Sequence, residues 1–263
     1  MSGWDDPLTP VYYEAFCRRH SRYARANAAL IAHAQIEPQM RVLDLAAGTG
    51  RTAEAALRRL GDDGRLVCVE ASAPMRAVGI RRVRDTRVEW YATLPDAMGP
   101  FDRILCGAAI WQLQPLGETI RTLGALLGRG GALCFNIPAL YLLEPDEPGG
   151  GDDPLLLALP ALLATNAGAA CDRPQRHTRQ RLGRAAIRRW LQDAGLRPRS
   201  WTFRVRLTQE AYAAWLKIPA VAGRMLAGLD PGERVRRIDA ALDTVDRTCW
   251  KWERWRGWTA WKP

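Results

Sequence analysis

The stretch "RVLDLAAGTGRTAEAALRRL", Arg41 to Leu60, decides how the rest of the chain is read. A compact apolar run carrying the acid Asp44 passes through Gly48 and Gly50 into a segment rich in Ala, Arg and Leu. Apolar residues in an unbroken short run, then at helical spacing, predict a strand, a turn and a helix. Glycine lacks a side chain, so two of them at the handover let the backbone bend sharply and let a ligand come close. The helix beginning near Thr52 aims its positive end at that space. A loop that only had to turn would need one glycine and no acid.

Outward from this stretch the same rhythm repeats. The strand Arg41–Leu45 is followed by strand candidates Arg65–Val69, Val88–Tyr91, Arg103–Cys106 and Ala132–Ile137, with helices over Thr52–Leu60, Pro74–Arg82 and Thr119–Leu127. Strands alternating with helices require crossover connections, and those build a mostly parallel, doubly wound sheet. A helical pattern precedes it, from Val11 to about Ala34. After Pro138 comes a turn-rich acidic loop, "EPDEPGGGDDP" (Glu144–Pro154), then an apolar helical piece to about Thr165. Helix Arg184–Ala194 is closed by Gly195, strand Arg199–Leu207 follows, and a helical insertion fills Gln209 to about Asp246. Within the insertion Asp230 is placed as an N-cap with Pro231 at the first helical position. The closing "WERWRGWTAWKP" reads as a last strand.

A chain of 263 residues, 48% hydrophobic and 25% charged, has room for one α/β domain with a sizeable core. "MSGWDDPLTP" is polar and turn-rich, and the longest apolar run, "PLLLALPALLA" from Pro154, is too short to span a bilayer. A cytoplasmic protein without a membrane span is expected. The six cysteines form no CxxC pair, which predicts reduced thiols and no metal site. Cys68, Cys106 and Cys134 fall in strands, as small hydrophobes. The net charge is +10, and eleven Arg face two Asp between Asp172 and Arg206. Such a block is a solvated basic surface or a meeting place for phosphate or another anion.

"VLDLAAGTG" resembles the first motif of the class I S-adenosylmethionine-dependent methyltransferases, with Asp44, Gly48 and Gly50 in the D-x-x-x-G-x-G positions. "LVCVEAS" is similar to their second strand ending in its acid, Glu70, with Met75 in the next helix. "FDRILCGAAIWQL", "LLGRGGALCFNIP" and "WLQDAGLRPRSWTFRV" resemble their later segments, in order. The resemblance, closest to the quinone-biosynthesis and small-molecule subgroup, covers about 41 to 137 and 184 to 207. It implies an α/β fold: a doubly wound, seven-stranded, mostly parallel Rossmann-like sheet with a helical cap. Cap elements 1–39, 139–181 and 209–246 would stand over a core of 40–138, 182–208 and 247–263, forming a single methyltransferase domain. It also implies S-adenosyl-L-methionine as cofactor, bound by Tyr23, Asp44, Leu45, Ala46, Gly48, Thr49, Gly50, Glu70, Ala71, Met75, Ala92, Leu94 and Cys106. Glu70 would accept both ribose hydroxyls, and Asp44 would face the cationic amine. Gly48-x-Gly50-x-x-Ala53 followed by Glu70 also fits a dinucleotide fingerprint. Against that stand Asp44, four residues before the first glycine, and the order of the later segments. Two departures from the family stand out. No carboxylate follows the third strand, where Tyr91 and Ala92 lie, and Trp111 and Gln112 replace a frequent His pair.

Methyl transfer from a sulfonium is an in-line displacement, so positioning does most of the work. A base is needed only where the acceptor must lose a proton. His20 and His177 are the candidate bases, and Asn136 and Trp111 are candidates for orienting a substrate. A cap rich in Leu, Tyr and Trp favours a small aromatic or apolar metabolite as acceptor. The alternatives are RNA or tRNA, for which the Arg block speaks, and a non-methylating cyclase or assembly protein that binds the cofactor. Five tryptophans, at 250, 252, 255, 258 and 261, must alternate between faces of the last strand, with Arg254 and Arg256 as cation–π partners.

Overall fold

A computed structural model describes residues 3–95, 98–142, 158 and 182–263. The acidic loop, the helical piece after it, Cys171 and His177 lie outside the described residues. The first half runs α1 (Thr9–Arg19), α2 (Arg22–Ala34), β1 (Arg41–Leu45), α3 (Arg51–Leu57), β2 (Arg65–Val69), α4 (Ala73–Arg82), β3 (Val88–Tyr91) and β4 (Phe101–Cys106). The second runs α5 (Leu116–Ala125), β5 (Leu127–Pro138), α6 (Arg184–Asp193), β6 (Arg197–Thr208), α7 (Gln209–Leu216), α8 (Pro219–Met225), α9 (Pro231–Asp243) and β7 (Trp250–Trp261).

The seven strands form one sheet in the order β3-β2-β1-β4-β5-β7-β6. Strands β1 to β5 are parallel to their neighbours, and β7 runs antiparallel to β5 with Ile137 opposite Arg256. This is the expected mostly parallel, Rossmann-like sheet. The order reverses at β1, between β2 and β4, and in such sheets a ligand crevice opens at the carboxyl ends there.

The chain divides into two compact units. The larger comprises 23–145, 181–203 and 254–263. Its parallel strands are apolar on both faces because helices cover both. On one face Leu43, Ile104, Leu133 and Phe135 pack with Ile120 of α5 and Leu191 of α6. On the other Val42, Leu66, Leu105 and Cys134 pack with Leu30 of α2 and Ala53 of α3. Each fully buried Leu, Ile or Phe contributes roughly 1.5–3 kcal/mol. Ser72 caps α4, its hydroxyl accepting from Met75 N at 3.4 Å, and Gly195 closes α6 at φ +75°.

The smaller unit comprises 1–22, 146–180 and 204–253. Its described part is mainly helical. Asp230 caps α9 as expected, accepting from Glu233 N at 3.0 Å. Arg22 donates through Nε to Glu253 at 2.9 Å and through a terminal nitrogen at 2.6 Å, and lies 4.4 Å over the Trp215 ring.

Two expectations are adjusted. The single helix predicted from Val11 to Ala34 is two, because His20 is extended at φ −125°, ψ 134°. Strand β5 starts at Leu127 rather than Ala132; Gly130, at φ +74°, and Gly131, where a Cβ would strike Phe101 O at 2.8 Å, carry it past an irregular register with β4. The last-strand tryptophans differ in exposure, Trp255 and Trp258 being buried and Trp252 42% exposed, and Trp250 lies beneath Arg206 at 4.5 Å. No helix among the described residues is long and apolar enough to cross a membrane.

Candidate cofactor site

Strand β1 delivers Asp44 to its carboxyl end, and the backbone then doubles back. Ala46 sits at φ +56°, Gly48 at +57° and Gly50 at +78°. The left-handed region is open to glycine but costs about 1–3 kcal/mol for a residue with a Cβ. The strain at Ala46 therefore has to be held by its surroundings. Ala47 N donates to Val69 O at 3.0 Å, which pins the loop to the end of β2. At Gly48 a Cβ would project to within 3.6 Å of Met75 Cε on α4, so the missing side chain leaves a cradle between loop and helix.

Glu70, the first residue past β2, closes this cradle. Its Oε2 accepts from Gly48 N at 2.8 Å and its Oε1 from Ser72 N at 2.8 Å. The bend after β1 and the acid after β2 thus border one space. The turn after β3 joins them, since Glu70 N donates to Tyr91 O at 3.0 Å. Ala92 is exposed and Leu94 is half-buried against the core, at the edge where a nucleobase would lie.

Asp44 is the electrostatic oddity of the site. It is 1% exposed, and among the described residues neither carboxylate oxygen has a hydrogen-bond partner. Burial, then the neighbouring Glu70 carboxylate, push its pKa up to about 8; the Ala53 amide opposes this without completing a hydrogen bond. A buried, unpartnered carboxyl is expensive to keep, and a cation beside it would relieve the cost.

The loop after β4 forms the other wall. Gly107 packs so tightly on α3 that a Cβ would fall 2.9 Å from Thr52 Oγ1, and Ala108 is strained at φ +53°. Asn136 of β5, fully buried, holds this loop: its Oδ1 accepts from Ala108 N at 2.9 Å and its Nδ2 donates to Ala26 O at 2.8 Å. Its amide braces backbone. Cys106 is fully buried, and desolvation, with Asp44 and Glu70 nearby, raises its pKa well above the ordinary thiol value. It packs; it does not attack.

These groups suit a nucleoside sulfonium. Glu70 presents a carboxylate to a diol, Asp44 an unpartnered acid to a cation, and Gly48 open backbone to the chain between them. Comparison with known proteins agrees. The family model described as "Methyltransferase domain" matches residues 16–200, more than half of the chain. The chain belongs to this methyltransferase family. It is a class I enzyme whose cofactor is S-adenosylmethionine.

Solved structures show the same fold at low identity. YcgJ from Bacillus subtilis aligns with a TM-score of 0.60 at 17% identity, covering 91% of this chain and 98% of its own. A putative methyltransferase of Haloferax volcanii, solved with its Trm112 activator, gives 0.58 at 13% identity over 100% and 99% of the chains. The [4+2]-cyclase SpnF gives 0.56 at 18% identity over 91% and 81%. A search of curated proteins found no match.

The other predicted residues of the methyltransferase fall as follows. Asp44, Leu45, Ala46, Gly48, Thr49, Gly50, Glu70, Ala71 and Cys106 lie at or just past the ends of β1, β2 and β4, and Met75 on α4 faces Gly48. Tyr23, on α2, meets Trp255 edge-on at 6.5 Å. Trp111 stacks on Tyr141 at 4.5 Å, with rings 19° from parallel. His20 belongs to the smaller unit, where its ring lies 5.1 Å from Phe16. Sequence reasoning missed Gly107, whose part lies in close packing on Thr52, and Tyr141, whose stacking partner is distant in sequence.

Proposed function

We propose that this methyltransferase acts on a small, aromatic or apolar metabolite by in-line displacement at the cofactor methyl. One observation carries the reading. Trp111, just past β4, stacks on Tyr141, just past β5, and the Trp111 Nε1 is buried with no acceptor among the described residues. Trp111 follows β4, the strand beside β1, and Tyr141 follows β5, the next strand over. A stacked aromatic surface with one indole N–H to donate favours a flat acceptor bearing an oxygen.

When bound, S-adenosylmethionine supplies an activated methyl carbon and a neutral leaving group. The chain's part is to hold and to position. Glu70 accepts from the ribose hydroxyls, Asp44 stands opposite the amine, Met75 closes the cradle, and Ala92 with Leu94 borders the base. Asn136 fixes the Ala108 loop, so the acceptor is held against a rigid wall; such placement supplies most of the acceleration for this chemistry. His33 is the larger unit's one histidine, and it is stacked on Trp201 at 4.2 Å. His20 belongs to the smaller unit; burial, the largest influence on it, lowers its pKa and keeps it neutral at physiological pH.

The test is incubation with methyl-labelled S-adenosylmethionine and fractionated metabolite extracts. The reading expects label in a small organic-soluble product, equimolar release of S-adenosylhomocysteine, and at least about tenfold lower kcat/KM in Trp111→Leu. Label entering tRNA would transfer the function to RNA, which the Arg block supports. Cofactor binding with no transfer in any fraction would favour a non-methylating role.

A further inference from the structure

A second concavity lies in the larger unit, away from the Asp44–Glu70 cradle. It has a volume of ≈ 840 Å³ and opens between α6, the start of β6, and β7. Four arginines, Arg184, Arg188, Arg199 and Arg256, are among its nine described lining residues, with Ser200 and Trp258; none of the nine is acidic. Arg184 and Arg188 are one helical turn apart on α6, so they share a face. Arg256 comes from the neighbouring layer, opposite Ile137 near the carboxyl end of β5. Trp258 is 3% exposed and stacked on Phe135 at 5.3 Å, which makes it a rigid apolar floor.

We infer that this concavity is a binding site for a small molecule carrying two or more phosphate groups. Like charges gathered in one hollow, such as Arg188 and Arg199, repel each other, and an anion placed between them lowers that cost. Guanidinium groups match phosphate oxygens in paired, charge-assisted hydrogen bonds. Arg188 and Arg199 make no ion pair with a described carboxylate, so the site has cationic groups to offer. The shape selects the ligand class. A hollow of this volume falls in the range of small-ligand sites, whereas a nucleic-acid backbone is followed by an open basic stripe. Three strand positions separate β1 from β7, roughly 14 Å at about 4.8 Å per strand, so a ligand here flanks the cofactor rather than replacing it. The inference stands independently of the acceptor proposed above.

The experiment is calorimetric titration of the full-length protein at low salt with inorganic tripolyphosphate, then with pyrophosphate. Arg184→Gln/Arg188→Gln and Arg256→Gln are compared with Arg58→Gln, an exposed arginine on another part of the sheet's surround. The site predicts saturable binding of one anion per chain, weakened about tenfold or more in the first two variants and unchanged in the third. S-adenosylmethionine affinity should be the same in all of them, which also reports that they are folded. Absence of saturable binding, or equal affinity in all variants, overturns the inference. So does retention of tRNA that these variants abolish when neither phosphate probe binds.

Discussion

Replacing Asp44 by Asn probes the charge built into the cradle. In the folded protein the carboxyl titrates at about 8, against a reference of 3.8, because it is buried and faces the Glu70 carboxylate. Below about pH 4 both folded and unfolded chains carry the proton, and the group has no effect on stability. Between about 4 and 8 the unfolded chain has lost the proton and the native chain has kept it. The native state then binds one proton more, so stability falls with rising pH, by about 1.4 kcal/mol per pH unit. At pH 7, three units into that window, the penalty is about 4 kcal/mol. Above about 8 both states are ionised and the penalty stays constant. Asparagine keeps the shape and never ionises. Urea unfolding of the two proteins across about pH 4 to 8 should therefore show curves that meet at the acid end and diverge steadily, the variant becoming the more stable. A difference independent of pH would refute the reasoning. The cofactor reverses the effect, because a cation beside Asp44 favours the carboxylate. Cofactor affinity should rise with pH toward 8, with proton release visible as a buffer-dependent binding enthalpy, and Asp44→Asn should lose both.

Other consequences are open to measurement. Asn136→Ala strands the Ala108 amide and the Ala26 carbonyl, and chemical denaturation should show a loss of about 2–4 kcal/mol, with weaker cofactor binding as the β4 loop relaxes. An unchanged midpoint would remove Asn136 from its bracing role. Glu253→Ala leaves the 2%-exposed Arg22 without its bidentate partner and should cost about 3–5 kcal/mol by the same method; little or no change would deny the pair its weight. Thiol titration of the folded protein should modify half-buried Cys17 and Cys249 before buried Cys68, Cys106 and Cys134. Early reaction of Cys106 would contradict its burial.

What the sequence disclosed follows from where the physics is local. The β1 strand, its acid and the two glycines are legible because an apolar run, a charged residue and a missing side chain each speak at their own position. Glu70 is legible for the same reason, as an acid ending the next apolar run. The break at His20 was hidden, since neither glycine nor proline marks it and the apolar spacing continues through it. The backbone strain at Ala46 and Ala108 was hidden as well, because alanine carries no sign of a left-handed backbone; the surrounding hydrogen bonds impose it. Asn136 was visible as a polar residue in a strand, but its two backbone partners lie 28 and 110 residues away in the chain. The basic hollow was half legible: the Arg block announced positive charge, while Arg256 reaches it only through the β5–β7 pairing.

All of this depends on the loop after Asp44 and the Glu70 carboxylate enclosing the seat of one nucleoside sulfonium. Calorimetric titration of S-adenosylmethionine into the wild type and Glu70→Ala, near pH 8 where Asp44 ionises, tests it most directly. One molecule bound per chain, with affinity reduced at least about tenfold in the variant, is the predicted result. Equal affinity in both proteins, or no binding to the wild type, would contradict it.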